Sequence, residues 1–232
     1  MIRSWLKSLV EVIFPAQCAV CGEALVAGEK TICTSCRWDM PLTDYWSAHE
    51  NFMVERLAAR VPFVEASALM FFRRHSHYRT LIHRMKYGGR RDVARMLGEI
   101  YGTYLHRSEL YRGVQLIVPV PLHYTKFIKR GYNQSEEFAR GIASSLGVEV
   151  CTRALVRTRR THTQAQLHDS LSRAENVEGA FRVVRPELLI GRGVLLVDDV
   201  VTTGATLQAA ASAIVMMESP ARLYLGAIAI VR

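Results

Sequence analysis

Val194-Leu195-Leu196-Val197-Asp198-Asp199-Val200-Val201-Thr202-Thr203-Gly204-Ala205-Thr206 contains a strand, an acid pair, a short loop and the start of a helix. The unbroken apolar run Val194–Val197 reads as a strand covered on both faces, because a half-solvated strand would alternate with polar residues. Asp198 and Asp199 follow at its carboxyl end, and the helix is expected over Ala205 to Met217. That order places the acids and the loop at the carboxyl edge of an α/β sheet, where ligands bind.

The loop has the chemistry of a phosphate cradle. Thr202, Thr203 and Thr206 offer hydroxyls, the first helical turn offers free N–H groups, and the helix dipole adds partial positive charge. Gly204 allows close backbone approach. The glycine-rich dinucleotide spacing and the P-loop lysine are both absent. Two adjacent carboxylates would repel a phosphate, yet they suit hydroxyl groups, as hydrogen-bond acceptors. A ligand with vicinal hydroxyls and a terminal phosphate, such as a ribose 5-phosphate, satisfies both halves. The plainer alternative is that the acids cap a helix and the threonines fill a turn.

Working outward, strands alternate with helices from residue 63. Phe63–Phe72 reads as a strand, His77–Tyr87 as a helix broken by Gly88-Gly89, and Asp92–His106 as a second helix with Asp92 a candidate N-cap. Leu116–Val118 is a short strand running into Pro119 and Pro121. Ser135–Leu146 is a helix with Ser135 a candidate cap and Gly147 its stop, and Val148–Val156 is strand-like. Leu223–Val231 is a final strand. Continuously apolar strands separated by helices predict a parallel sheet covered on both faces. Residues 157–178 form a long polar, basic segment, read either as a functional loop or as a basic surface loop.

The 232 residues carry 30 basic and 21 acidic side chains, a net charge of +9. Seven arginines and Lys86 lie between Arg73 and Arg95 against one acid, Asp92; further clusters are Lys126, Lys129 and Arg130, and Arg153, Arg157, Arg159, Arg160 and Arg173. Such clustering points to an anionic partner, a phosphorylated small molecule or a nucleic acid. With 50% hydrophobic and 22% charged residues the composition is globular. No apolar run reaches the roughly 20 residues that span a bilayer. Residues 1–14 have helical apolar spacing and are expected as an amphipathic helix, and the protein is expected in the cytoplasm.

Cys18, Cys21, Cys33 and Cys36 form a C-x2-C, eleven-residue, C-x2-C array. Two thiolates on one tight turn reach the same ion, and two such turns complete a tetrahedral site. In a reducing compartment this favours structural zinc over a redox pair. A ribbon of residues 15–41 cannot build a core, so the metal would supply its folding energy. Whether such a ribbon touches nucleic acid or braces a neighbouring domain is open at this level. Residues 42–61 read as a linker with a short helix, and residues 62–232 as the α/β domain. Cys151, in an apolar stretch, reads as a buried small residue.

Leu195–Thr206 resembles the PRPP-binding motif of type I phosphoribosyltransferases (PRPP is phosphoribosyl pyrophosphate). The rest of the chain resembles one branch, the ComF family. The resemblance is carried by Pro119-Val120-Pro121-Leu122, Lys129-Arg130-Gly131-Tyr132-Asn133-Gln134-Ser135, Lys86-Tyr87-Gly88 and the four-cysteine ribbon. Arg157 and Gln164, continuing to Arg173, Asn176 and Phe181, complete it. It implies a type I phosphoribosyltransferase fold, a Rossmann-like parallel core with a hood, behind a zinc ribbon. It implies that Asp198 and Asp199 bind the ribose hydroxyls, that Thr202, Thr203, Gly204, Ala205 and Thr206 hold the 5-phosphate, and that magnesium accompanies PRPP. It also implies single-stranded DNA and a DNA-uptake helicase as partners, in natural competence.

In such a fold Lys86, Lys129, Arg130, Asn133 and Gln134 would face the pyrophosphate, although Asn133-Gln134-Ser135 could equally just begin a helix. Arg157, Gln164, Arg173 and Asn176 would come from the hood. Two functions follow: an enzyme that displaces pyrophosphate from PRPP, or a DNA-binding uptake factor with a vestigial pocket. Fold alone does not decide between them.

Overall fold

The computed structural model describes residues 15–73, 75–158, 179–219 and 221–232. The expected N-terminal helix over residues 1–14 and the hood residues Gln164, Arg173 and Asn176 lie outside them.

The ribbon comes first. Its two C-x2-C turns face each other, and the second opens the short helix α1 (Thr34–Trp38). Residues 42–61 are packed into the α/β domain and do not act as a free linker. Leu42 bridges Met70, Trp46 is buried, and helix α2 (Phe52–Ala58) buries Met53 and Leu57 completely. Asn51 fixes α2 in place. Its Oδ1 accepts from the amides of Met53 and Val54, and its Nδ2 donates to Ala66 O at 3.0 Å in the neighbouring strand. The apolar residues of this stretch are widely spaced, so their common destination shows only in three dimensions.

Strand β1 (Glu65–Phe72) leads to helices α3 (Tyr78–Tyr87) and α4 (Arg91–Arg107). Asp92 does not cap α4: Arg90 holds that position, and Asp92 in the first turn accepts from Arg90 Nε at 2.9 Å. Strand β2 (Leu116–Pro119) is followed by the short helix α5 (Tyr124–Arg130), which ends at Gly131, and by α6 (Gln134–Leu146). The cap of α6 is Asn133 and not Ser135; Gly147, at φ 69°, ends it as expected.

The expected strand Val148–Val156 is two strands, β3 (Glu149–Val150) and β4 (Leu155–Arg157), with a bend between them. Cys151, in the bend, is only partly buried. Strand β5 (Phe181–Val183) pairs antiparallel with β4, away from the main sheet. Strand β6 (Gly193–Val201), helix α7 (Ala205–Val215) and strand β7 (Arg222–Val231) close the chain.

The main sheet has five strands in the order β1-β7-β6-β2-β3, all parallel. One face is covered by the ribbon, α3, α4 and α6, the other by α2, α7 and the β4–β5 pair, which gives the two-sided burial that the apolar strands predict. Helices α4 and α6 cross closely because glycines line the contact. A Cβ on Gly98 would lie 2.2 Å from Phe138 O, and one on Gly141 would lie 2.1 Å from Arg95 O.

The sheet also creates the notch in which the site lies. Strand β6 runs through both acids to Val201, because the long strand β7 pairs it that far, with Val201 opposite Ile230. On its other side β2 ends at Pro119, opposite Val197. From Asp198 onward, β6 therefore has a neighbour on one edge only.

Candidate functional site: an acid pair and phosphate loop at the carboxyl edge of the sheet

Asp198 and Asp199 stand at the mouth of this notch with different partners. Asp198 Oδ1 accepts from Ser135 Oγ at 3.2 Å and from the Asp199 amide at 2.8 Å. Asp199 Oδ2 lies 2.8 Å from Lys86 Nζ and 3.8 Å from an Arg130 terminal nitrogen. Burial, reinforced by the charge of Asp199, pushes the Asp198 carboxyl up to about 6, and the Asp199 amide, Lys86 and Ser135 only partly offset this. Arg157, from β4, is near enough to feel Asp198. Burial lowers the guanidinium's proton affinity, and the carboxylate works against that shift.

The loop turns at Gly204, whose φ of 85° suits glycine, and α7 starts at Ala205. Thr202 and Thr203 are exposed, and Ala205 and Thr206 are partly exposed, so the first turn of α7 is open to a ligand. Two arginines of α2 and its end, which sequence reading passed over, hold the loop from behind. Arg56 donates to the Thr202 carbonyl, and Arg60 donates to the Thr203 carbonyl at 2.8 Å. Their i, i+4 spacing after a capping Asn51 was a signal, but nothing in the sequence says which loop they meet.

The structure brings the expected pyrophosphate-side residues to the same place. Arg130 is nearly buried at 8% exposure, gives one terminal nitrogen to Gln134 Oε1 at 2.8 Å, and lies over Tyr87, with Cζ 5.5 Å from the ring centre. Its Nε is buried and donates to none of the described residues. Lys129 Nζ sits 5.6 Å from the same ring. Asn133 and Gln134 are engaged within the protein. Asn133 caps α6 and donates to Val120 O at 3.0 Å; Gln134, 1% exposed, holds Arg130 and donates to Tyr132 O. They orient the neighbouring cation and the α6 terminus.

Away from this site, the four cysteine Sγ atoms lie within 4.8 Å of one another, and Cys21 and Cys33 are 3.8 Å apart. A tetrahedral zinc with Zn–S of about 2.3 Å requires sulfur–sulfur edges of about 3.8 Å, so the geometry fits the ion. Burial works to raise the Cys18 thiol, but the amides of Cys33, Cys21 and Val20 outweigh it and hold the thiol at about 6. Such donors favour a thiolate ligand.

Residues 133–222 match the phosphoribosyl transferase domain, and residues 9–46 match the double zinc ribbon domain. The DNA utilization protein YhgH of Escherichia coli K12 is 31% identical over 196 residues, covering 82% of this chain and 79% of its own length. The chain belongs to the ComF family. A ComF-family relative from Haemophilus influenzae, competence protein F, is 33% identical over 133 residues, covering 55% of this chain and 57% of its own. Among solved structures, the glutamine PRPP amidotransferase of B. subtilis, complexed with ADP and GMP, is 17% identical with a TM-score of 0.42. That likeness covers 63% of this chain, which spans only 30% of the amidotransferase chain.

This ComF-family chain therefore combines a type I phosphoribosyltransferase domain on a five-stranded parallel sheet with a four-cysteine ribbon. The ribbon match and the cysteine geometry support a structural zinc. Among the described residues no helix is long and apolar enough to cross a membrane.

Proposed function

We propose that the chain binds PRPP with magnesium at the carboxyl end of β6 and transfers its ribosyl 5-phosphate to an acceptor in the uptake or processing of DNA. The observation that carries this reading is the juxtaposition of the Asp198–Asp199 pair, the Thr202–Thr206 loop and the cations Lys86 and Arg130 on one sheet edge. In the reaction the bond from ribose C1 to pyrophosphate breaks, a bond from C1 to the acceptor forms, and pyrophosphate leaves with the electron pair.

Asp198 and Asp199 accept from the ribose hydroxyls. Thr202, Thr203, Gly204, Ala205 and Thr206 hold the 5-phosphate. Lys86, Lys129 and Arg130 balance the charge of the leaving pyrophosphate. Asn133 and Gln134 act through their neighbours: Gln134 holds Arg130 and Asn133 fixes the start of α6. Arg157, whose guanidinium is near enough to feel Asp198, adds a further cation on this edge. Magnesium accompanying PRPP would sit beside Asp198 and Asp199 and would neutralise phosphate charge. The chain's own contribution is positioning and electrostatic stabilisation of positive charge developing at the ribosyl centre.

The test is the thermal midpoint with and without PRPP and magnesium. At ligand ~100 times its dissociation constant, stabilisation of about 2.7 kcal/mol is expected. That corresponds to a rise of roughly 5–10 °C at this size. The Asp198→Asn, Asp199→Asn double variant should fold and show no rise. A wild-type protein that does not respond to PRPP overturns the reading.

A second reading, a DNA-binding uptake factor, is supported by α5. There Tyr124, Phe127 and Ile128 are exposed at 56%, 46% and 64%, interleaved with Lys126 and Lys129. Exposed aromatics among cations suit stacked single-stranded bases. The names of the two relatives fit this reading, and a DNA-uptake helicase would be a further partner. Binding of a labelled oligothymidylate that weakens steeply with salt, and is lost in Phe127→Ala with Lys126→Ala, would support it. Absence of binding at low salt would remove it.

A further inference from the structure

We propose that Arg56 and Arg60, which lie outside the matched phosphoribosyl transferase domain, are positioning residues that shape the phosphate loop and set its affinity for a 5-phosphate. This rests on the reading of that loop as the 5-phosphate site.

The argument starts from peptide geometry. A trans peptide is planar, with its C=O and N–H pointing in opposite directions. Arg56 draws the carbonyl of Thr202 toward α2, and Arg60 draws the carbonyl of Thr203 the same way. The amides sharing those two peptide planes belong to Thr203 and Gly204. Holding the two carbonyls on the α2 side therefore turns these N–H groups toward the opposite side, where a phosphate enters. Without the arginines the carbonyls would be free to rotate into the cradle and present negative ends to an anion.

A third contact lies between the two arginines. Gly204 rests on Leu57: a Cβ built there would lie 2.7 Å from Leu57 Cδ2, and the next nearest side chain is Arg60, at 3.9 Å. Three residues of one segment, Arg56, Leu57 and Arg60, thus brace three consecutive residues of the loop. The brace itself is anchored. Leu57 is fully buried, and Asn51 ties the start of α2 to β1.

The charges point to an anion as well. Arg56 and Arg60 repel each other, and burial together with that repulsion lowers the proton affinity of Arg56. Among the described residues neither arginine is paired with a carboxylate; their partners are loop carbonyls, Gln208 and the Phe52 ring. Like charges held this close are unfavourable by themselves. Their field, directed at the loop, favours a phosphate there.

The experiment compares ribose 5-phosphate and inorganic pyrophosphate as separate ligands, titrated calorimetrically against wild type, Arg56→Ala with Arg60→Ala, and the corresponding double lysine variant. Charged hydrogen bonds of this kind are worth roughly 10- to 100-fold in affinity each. The alanine pair should weaken ribose 5-phosphate by at least about 10-fold and leave pyrophosphate within about 2-fold, and the lysine pair should recover part of the loss. Equal loss of both ligands would mean general damage and would overturn the proposal, as would unchanged ribose 5-phosphate binding.

The chemical shifts of the Thr203 and Gly204 amides without added ligand separate this proposal from the functional reading. Displaced shifts in the alanine pair, when the wild-type protein binds neither ligand, would leave the brace standing and remove the PRPP site. Unchanged shifts would remove the brace.

Discussion

Lys86 Nζ lies 2.8 Å from Asp199 Oδ2, and the two side chains are only 19% and 17% exposed. The acid assigned to a ribose hydroxyl is therefore already paired with a cation from α3, in an environment where charge interactions exceed those of a surface pair. Arg130, 3.8 Å away, adds a second cation. A hydroxyl arriving at Asp199 would share it with Lys86, and the ammonium, with three donors, could then also face the pyrophosphate.

Lys86→Met should keep the fold, since Arg130 still partners Asp199, and should weaken PRPP binding by about 10-fold or more, the size of one charge-assisted contact. Calorimetric titration of PRPP with magnesium checks this. Unchanged affinity would place Lys86 in a structural role alone.

Asp198 makes the site costly to the fold. Its carboxyl is raised to about 6, chiefly by burial and then by Asp199, from a usual value near 4. The folded protein therefore holds a proton between about pH 4 and 6 that the unfolded chain releases. The favourable contribution is present at low pH and is lost as pH rises through about 6. The shift corresponds to roughly 1–3 kcal/mol. Asp198→Asn should flatten the dependence of the thermal midpoint on pH between about 4 and 7, and should melt higher than wild type at pH 8 while losing the PRPP response. Parallel pH profiles for the two proteins would contradict this.

The sequence made the sheet edge legible because strand, acids, loop and helix are contiguous from Val194 to Thr206. The cysteine cluster was legible for the same local reason. What lay hidden depends on distant pairings. Asp198 and Asp199 sit within β6 because β7 carries the pairing to Val201, a length no residue of β6 encodes. The α2 segment read as a linker because its Met53 and Leu57 find their core only against β1 and α7. Ser135 read as a helix cap, whereas Asn133 caps α6 and leaves the Ser135 hydroxyl for Asp198.

The ribbon acts on stability through its contacts with α3 and α4. Arg84 donates to Cys18 O at 2.8 Å, Tyr78 donates to Cys36 O, and Cys18, Val20 and Ile32 join the core beneath α4. Metal analysis should find one zinc per chain, as four thiolates complete a tetrahedral shell. Stripping it with a strong chelator, or Cys21→Ser with Cys36→Ser, should lower the melting temperature by several degrees, because the metal supplies the ribbon's folding energy. The PRPP-induced rise should persist, since the ribbon contributes no residue to the loop. Loss of that response along with the zinc would mean that the ribbon and the site are coupled.

The crossing of α4 and α6 gives the last prediction, because it fixes where the N-terminus of α6 meets Asp198. Gly141 faces Arg95 O so closely that a Cβ would lie 2.1 Å away, against backbone that cannot rotate aside. Gly141→Ala must push the helices apart, and such overpacking costs about 1–3 kcal/mol. At this size the melting temperature should fall by roughly 2–4 °C per kcal/mol. Gly147 at the end of α6 is the control: its φ is 69°, but a Cβ there meets nothing within 4 Å. Alanine at Gly147 incurs only the left-handed backbone strain of about 1–2 kcal/mol. The two variants should therefore be destabilised comparably and yet differ at the site. Displacing α6 at Gly141 shifts Ser135, 3.2 Å from Asp198, and should weaken PRPP binding, whereas Gly147→Ala should leave it unchanged. Equal PRPP affinity in both would show that the position of Ser135 does not govern the acid pair.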